Sequence, residues 1–218
     1  HDRICFTPTV DEIVGFVVPH LKNAARPVAS FGQGCEGEPL LEGDLLANAI
    51  VEIRKQTKRG IINVNTNASR PDVVEKLCSV GLDSMRVSVS SAREEFYNAY
   101  YRPKNYTFAD VIESLSIARK HGIWTSMNYL TFPGFTDTKK EIAALEKLVS
   151  KVKLNMIQTR NLNIDPEYYI KKAKLADADH GKTIGMMQWV AHLRHKFPDL
   201  KLGYFNPPLS VMKKAVVD

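Results

Sequence analysis

Residues 61–67 read Ile-Ile-Asn-Val-Asn-Thr-Asn, and this short run constrains the fold more than any total does. Ile62 and Val64 alternate with Asn63, Asn65 and Asn67. A period of two belongs to an extended strand, so the three carboxamides share one face. The pattern recurs. Residues 85–91 set Val87 and Val89 against Ser88 and Ser90. Ser126 shares a face with Asn128 in residues 125–130, and Gln158 with Arg160 in residues 156–161. A helix-like stretch follows each segment. Strands separated by helices form parallel sheets, which usually read as continuous apolar runs because both faces are covered. Here one face is polar in strand after strand, which points to a curved or closed sheet around a hydrated, ligand-filled interior.

The coarse pattern predicts helices over 9–23, 39–57, 71–80, 93–101, 107–121, 138–151 and near 183–196. It predicts strands over 28–33, 61–67, 85–91, 124–130 and 155–161, and a last one within 202–205. Local signals agree with the periodicity. Pro71 opens one helix and Gly81 follows its end. Thr107 with Asp110, and Thr138 with Glu141, read as capping pairs. Pro19 leaves the end of the first helix open. Strand starts step by roughly 30 residues, the size of a βα unit, and right-handed crossovers put the helices outside one parallel sheet. No linker interrupts the rhythm, so residues 1–218 read as a single domain. An open sheet and a partial barrel both fit. The polar alternate face favours an α/β fold of the partial (β/α) TIM-like barrel kind, with parallel strands and outer helices.

The totals narrow the function classes. A chain of 218 residues with 44% hydrophobic and 25% charged residues buries a core and is not a disordered composition. The net charge of +6 is spread over helices, as in Arg54-Lys55 and Lys171-Lys172, which reads as a solvated face rather than a nucleic-acid groove. Cys5, Cys35 and Cys78 are far apart and odd in number, which argues against a disulfide framework and for a reducing, cytoplasmic setting. No run approaches the roughly 18 apolar residues needed to span a bilayer. The start carries no secretory signal, and it opens at His1 without methionine, as a fragment or processed chain would.

Ligands of such folds bind at the carboxyl ends of the strands. The first strand leads into Gly32-Gln33-Gly34-Cys35-Glu36-Gly37-Glu38-Pro39. Glycines there let a ligand approach the backbone, and Glu36 and Glu38 suit an amine; the other reading is a turn with acids at a helix start. Asn65 and Asn67 offer donors and acceptors to a ribose or an amino acid head, or Asn67 shapes a turn. Ser88 and Ser90 bring hydroxyls, while Ser91 suits an N-cap. Arg160 calls for an anionic partner inside, or sits at the rim in solvent. His192 and His195 share a helix, with no third ligand at useful spacing, so no metal site is read.

Taken in order, these strand ends resemble the radical S-adenosylmethionine (radical SAM) superfamily. Within it they resemble the core of the molybdenum-cofactor biosynthesis protein A group and related iron–sulfur oxidoreductases. Glu36-Gly37-Glu38-Pro39 stands where that family has Gly-Gly-Glu-Pro, with Glu36 in place of the first glycine. Thr66-Asn67-Ala68 matches a Thr-Asn-Gly, and Val87-Ser88-Val89-Ser90-Ser91 a Val-Ser-Val-Asp-Ser strand. The loop from Phe132-Pro133-Gly134 to Asp137 is similar to the family's glycine-containing loop. The resemblance covers residues 7–165. It implies that Glu36, Gly37, Glu38, Pro39, Asn65, Asn67, Ser88, Ser90, Asn128 and Arg160 line a site for S-adenosylmethionine. It implies an enzyme that reductively cleaves this cofactor with a [4Fe–4S] cluster and abstracts hydrogen from a small molecule or peptide. A flavodoxin or ferredoxin would then serve as electron donor.

One departure goes with it. The family holds its cluster with CxxxCxxC, and Cys5, Cys35 and Cys78 cannot form that motif. The resemblance then implies that the first strand and the cluster loop lie upstream of His1. The ligands would be absent from this chain, and the fragment alone would be inactive. Two other readings stand beside it. A metal-free barrel lyase or aldolase would need Lys58, Lys104 or Lys153 as a Schiff-base lysine. A non-catalytic binding module would use the cluster of Tyr97, Tyr100, Tyr101 and Arg102, residues that otherwise pack a helix with wet tips.

Overall fold

The structure is a computed structural model, and it describes residues 5–32, 34, 37–176, 178–203 and 209–214. Six strands form one sheet: β1 (Val28–Phe31), β2 (Ile61–Thr66), β3 (Ser84–Val89), β4 (Trp124–Thr131), β5 (Met156–Asn161) and β6 (Lys201–Gly203). They lie side by side in chain order, and every pairing is parallel. The helices are α1 (Val10–Asn23), α2 (Gly43–Gln56) after a 3-10 turn at Pro39–Glu42, α3 (Pro71–Ser79), α4 (Glu94–Tyr101) and α5 (Phe108–Lys120). They continue with α6 (Lys139–Val152), α7 (Pro166–Lys172), α8 (Met186–Lys196) and α9 (Leu209–Lys214). None of the described helices is long and apolar enough to cross a membrane.

The alternation divides the sheet into two faces. Ile62, Val64, Met85, Val87, Met127 and Ile157 point outward and are buried against Ile50, Ile53, Leu77, Leu115 and Leu145 of the helices. On the other face Ile61, Trp124 and Met156 bury around Met212 of α9, with Val28 packed against them. Val28 is on the first strand and Met156 on the fifth, so a shared contact with α9 requires the sheet to curl. The fold is therefore a partial (β/α) barrel, as the polar alternation predicts, with an apolar plug at the amino ends of its strands. A clamp braces the same end. Asp83 accepts from Arg54 and from the Ile62 amide at 2.7 Å, and Arg54 Nε donates to the Gly81 carbonyl at 3.1 Å.

Most element starts follow local chemistry. Thr9 and Glu12 close a capping box on α1, and Thr107 and Asp110 close one on α5. Pro19 sits inside α1 without ending it. The predicted 39–57 helix opens with its 3-10 turn, capped by Glu38. The expected Thr138–Glu141 box is absent. Residues 178–185 cross the start of α6, and the carbonyls of Lys182 and His180 accept from Lys139 N (3.0 Å) and Lys140 N (3.4 Å). Thr138 pairs with Thr183 in an isolated antiparallel bridge. With its helix start capped from outside, Glu141 turns into the core. The sequence reading missed α7, a short helix begun by Asp165 and Pro166. Gln33 and Phe205, in two of the predicted strands, lie outside the described residues.

Candidate functional site

The inner face is layered. In the lower layer Ser84 Oγ donates to Asn63 Oδ1 at 2.7 Å, and Asn63 Nδ2 donates to Ser30 Oγ at 2.8 Å and Asn65 Oδ1 at 3.2 Å. Asn65 Nδ2 reaches Ser30 Oγ at 3.1 Å, and Arg86 Nη1 reaches Asn65 Oδ1 at 3.3 Å. Burial, and then the charge of Arg160, hold the Arg86 guanidinium below its usual proton affinity. Above this network Ser88, Asn128 and Gln158 are register partners across three strands. Arg160 lies two residues further along β5, on the same face. The structure thus brings Asn65, Ser88, Asn128 and Arg160 together on one concave surface at the carboxyl ends of the strands.

Two polar atoms at this end are buried with no hydrogen-bond partner among the described residues: Asn128 Oδ1 and Ser90 Oγ. Ser90 is only 1% exposed. A buried acceptor without a donor costs about 1–3 kcal/mol, so a native fold keeps one where something else satisfies it.

The βα loops arrive at the same end. Gly32 takes φ +78°, and a Cβ there would lie 2.1 Å from the Asn65 carbonyl, so only glycine lets β1 end so close to β2. Gly37 is exposed, and Glu36 lies outside the described residues. Pro39 opens the 3-10 turn. The Glu38 carboxylate accepts from Leu40 N (3.1 Å), Thr66 Oγ1 (2.5 Å) and Asn67 N (2.8 Å). Three donors on its two oxygens tie this loop to the end of β2. Asn67 Oδ1 accepts from Ser69 N at 2.9 Å, so its side chain builds the turn. Ala68 holds φ 56°, the left-handed conformation expected of the glycine it replaces in Thr-Asn-Gly.

Sequence reasoning missed a fully enclosed carboxylate. Glu141 is 0% exposed. Its carboxylate accepts from Ser91 Oγ (2.8 and 2.9 Å), from Ala92 N (2.7 Å) and from the Tyr129 hydroxyl. Burial raises the Glu141 carboxyl above its ordinary value, against the opposing pull of these donors. The Tyr129 hydroxyl is pushed well up by its own burial and by Glu141. The one sequence signal was that Glu141 adjoins Ile142 and Leu145 of the buried stripe, and the apparent capping box concealed it. Ser91 is not the N-cap of α4, which is Arg93; its hydroxyl accepts from Arg93 N at 3.0 Å.

The remaining candidates fall elsewhere. Lys58, Lys104 and Lys153 are exposed, and Lys58 and Lys153 precede β2 and β5 at the far end of the barrel, away from the concave face. Tyr97, Tyr100 and Tyr101 pack on one another and on Phe108 and Tyr169. His192 meets Glu146 at 2.5 Å. Among the described residues no group of three or more His, Cys, Asp or Glu could hold a metal ion. Cys5 is exposed ahead of α1, Cys78 is buried on α3, and Cys35 lies outside the described residues. The described side chains therefore do not fit an iron–sulfur cluster. They do fit a polar ligand rich in hydroxyl and amino donors.

Comparison with known proteins bears on that ligand. The sequence profile of the Radical SAM superfamily matches residues 10–145. No curated protein sequence matches the chain. Solved structures match the fold at low identity. SuiB of Streptococcus suis bound to S-adenosylmethionine shares 12% identity with a TM-score of 0.59, over 92% of this chain and 44% of its own. HydG, a maturase of the [FeFe]-hydrogenase, shares 17% with a TM-score of 0.61, over 97% and 48%. The coproporphyrinogen III oxidase HemN of Escherichia coli, a radical SAM enzyme, shares 16% with a TM-score of 0.58, over 86% and 44%. This chain spans less than half the length of each.

Proposed function

The chain belongs to the radical SAM superfamily, and from that premise we propose that its concave face binds S-adenosylmethionine for a radical reaction on a small-molecule or peptide substrate. The observation that supports this reading is the Asn128 Oδ1 acceptor, buried and without a donor, in register with Ser88 and Gln158. Adenosine carries hydroxyl and amino donors that would satisfy it. Ser88 and Ser90 add hydroxyls that donate or accept. The loop at Gly37 and Glu38 offers backbone carbonyls to the methionine amine, with the Glu38 carboxylate holding that loop on β2. When bound, S-adenosylmethionine would supply hydrogen-abstracting radical chemistry. This chain's own residues bind and orient the cofactor, and the apolar plug around Met212 keeps the lower end of the barrel shut to water.

On this reading the cluster thiolates come from residues outside these 218, and a flavodoxin- or ferredoxin-type protein is the electron donor. The test uses the protein at its full natural length, reconstituted with iron and sulfide without oxygen. We expect broad absorption near about 400 nm and calorimetric binding of S-adenosylmethionine that weakens in Asn128→Ala. Wild-type protein that takes up the cluster yet binds no S-adenosylmethionine at millimolar concentration would overturn the proposal.

A further inference from the structure

Two of the inward groups that would hold the ligand, Ser90 and Asn128, each adjoin a residue fixed by a single buried carboxylate. Asn128 points to the concave face. Tyr129, next along β4, points outward, because strand side chains alternate. The Tyr129 hydroxyl donates to Glu141, and its ring stacks on Trp189 with planes 6° apart. Val89 is the register partner of Tyr129. Just past it the chain turns, and Ser91 Oγ and Ala92 N donate to the same carboxylate. Glu141 thus joins α6, the middle of β4 and the turn after β3. Each of these three partners offers a hydrogen, and an acceptor-only carboxylate is the group that can take all three at once.

We propose that Glu141, acting through Tyr129 and Ser91, is a positioning residue for the ligand on the concave face: it sets the spacing between Asn128 and the serine end of β3. The inference rests on the S-adenosylmethionine reading of that face. Its physical basis is that a binding constellation keeps its geometry only when the residues behind it are locked by packing and hydrogen bonds. Ser90 and Asn128 each lack a partner that would otherwise fix them. The Glu141 network performs that task from the opposite face of the sheet.

The experiment compares Glu141→Gln, Tyr129→Phe and Ser91→Ala in the reconstituted, full-natural-length protein. S-adenosylmethionine affinity is read by calorimetry well below each variant's melting temperature, and amide exchange is followed over residues 88–93. We expect binding to weaken about five- to tenfold, with faster exchange confined to that turn and β4. Should Glu141→Gln fail to fold, the two milder variants carry the test. Affinities within about twofold of wild type, alongside lowered melting temperatures, would overturn the inference and leave the network a brace of the fold. A wild type that itself binds no S-adenosylmethionine would overturn the reading beneath it, and this inference with it.

Discussion

The two ends of the barrel solve opposite problems with similar residues. At the amino ends of the strands Arg54 and Asp83 form an ion pair whose spare atoms go to backbone groups, and Ile61, Trp124, Met156 and Met212 close the interior. At the carboxyl ends lie hydroxyls and carboxamides in register, with Asn128 Oδ1 and Ser90 Oγ left without partners among the described residues. Trp124 Nε1 in the plug and Arg119 Nε beside it are exceptions below, each without a partner among the described residues. The Arg54–Asp83 pair of the lower end is met within the chain, whereas Asn128 Oδ1 and Ser90 Oγ at the upper end find no partner among the described residues. Polar content alone therefore does not mark a site; the satisfaction of those polar groups does.

The sharpest way to break this contrast is to disturb the lower end. Arg54→Met removes the cation paired with the half-buried Asp83 and should cost about 1–3 kcal/mol in urea denaturation, while the folded protein keeps its S-adenosylmethionine affinity. A large loss of affinity at unchanged stability would erase the division between the ends. At the upper end the order reverses. Asn128→Ala removes an unmet acceptor, so stability should stay within about 0.5 kcal/mol, while affinity should fall about tenfold, about 1.4 kcal/mol.

The network between the two faces adds a pH dependence. Burial raises the Glu141 carboxyl, so the unfolded chain gives up this proton at lower pH than the folded one. Stability from this group then falls as pH rises from the ordinary glutamate value through the raised one. Relative to Glu141→Gln, the wild type should gain stability as pH is lowered toward 4.5, by at most about 1.4 kcal/mol per unit. A difference that stays flat or runs the other way would contradict that assignment. The smallest effect concerns the outer layer. Burial, aided by Glu75, pushes the Cys78 thiol up to about 12, whereas Cys5 is exposed. Iodoacetamide at neutral pH should label Cys5 and spare Cys78 until the protein unfolds, as mass spectrometry would show.

The sheet was legible because alternation is a local property. Asn63, Asn65, Ser88, Asn128 and Arg160 share a face by parity alone, and parallel register then sets them side by side. Thr9–Glu12 and Thr107–Asp110 were legible for the same reason, since each box closes within one turn. Thr138–Glu141 has the same spacing, but a segment about 40 residues further on caps α6, and no local pattern carries that contact. The site divided likewise. Which residues face inward could be read from the sequence. Which of them are already satisfied could not, because Glu38 is taken up by Thr66 and Asn67, and Asn67 by its own turn. α7 escaped notice because its seven residues are too few to show a helical period.

The central claim is that the carboxyl-end rim of the inner face is where the cofactor sits. A crystal structure of the reconstituted protein with S-adenosylmethionine, grown without oxygen, tests it most directly. The account predicts adenosine against Ser88 and Asn128, with a ligand donor within hydrogen-bond distance of Asn128 Oδ1. Cofactor bound on the outer helices or beside the Met212 plug, with Asn128 still unmet, would contradict it.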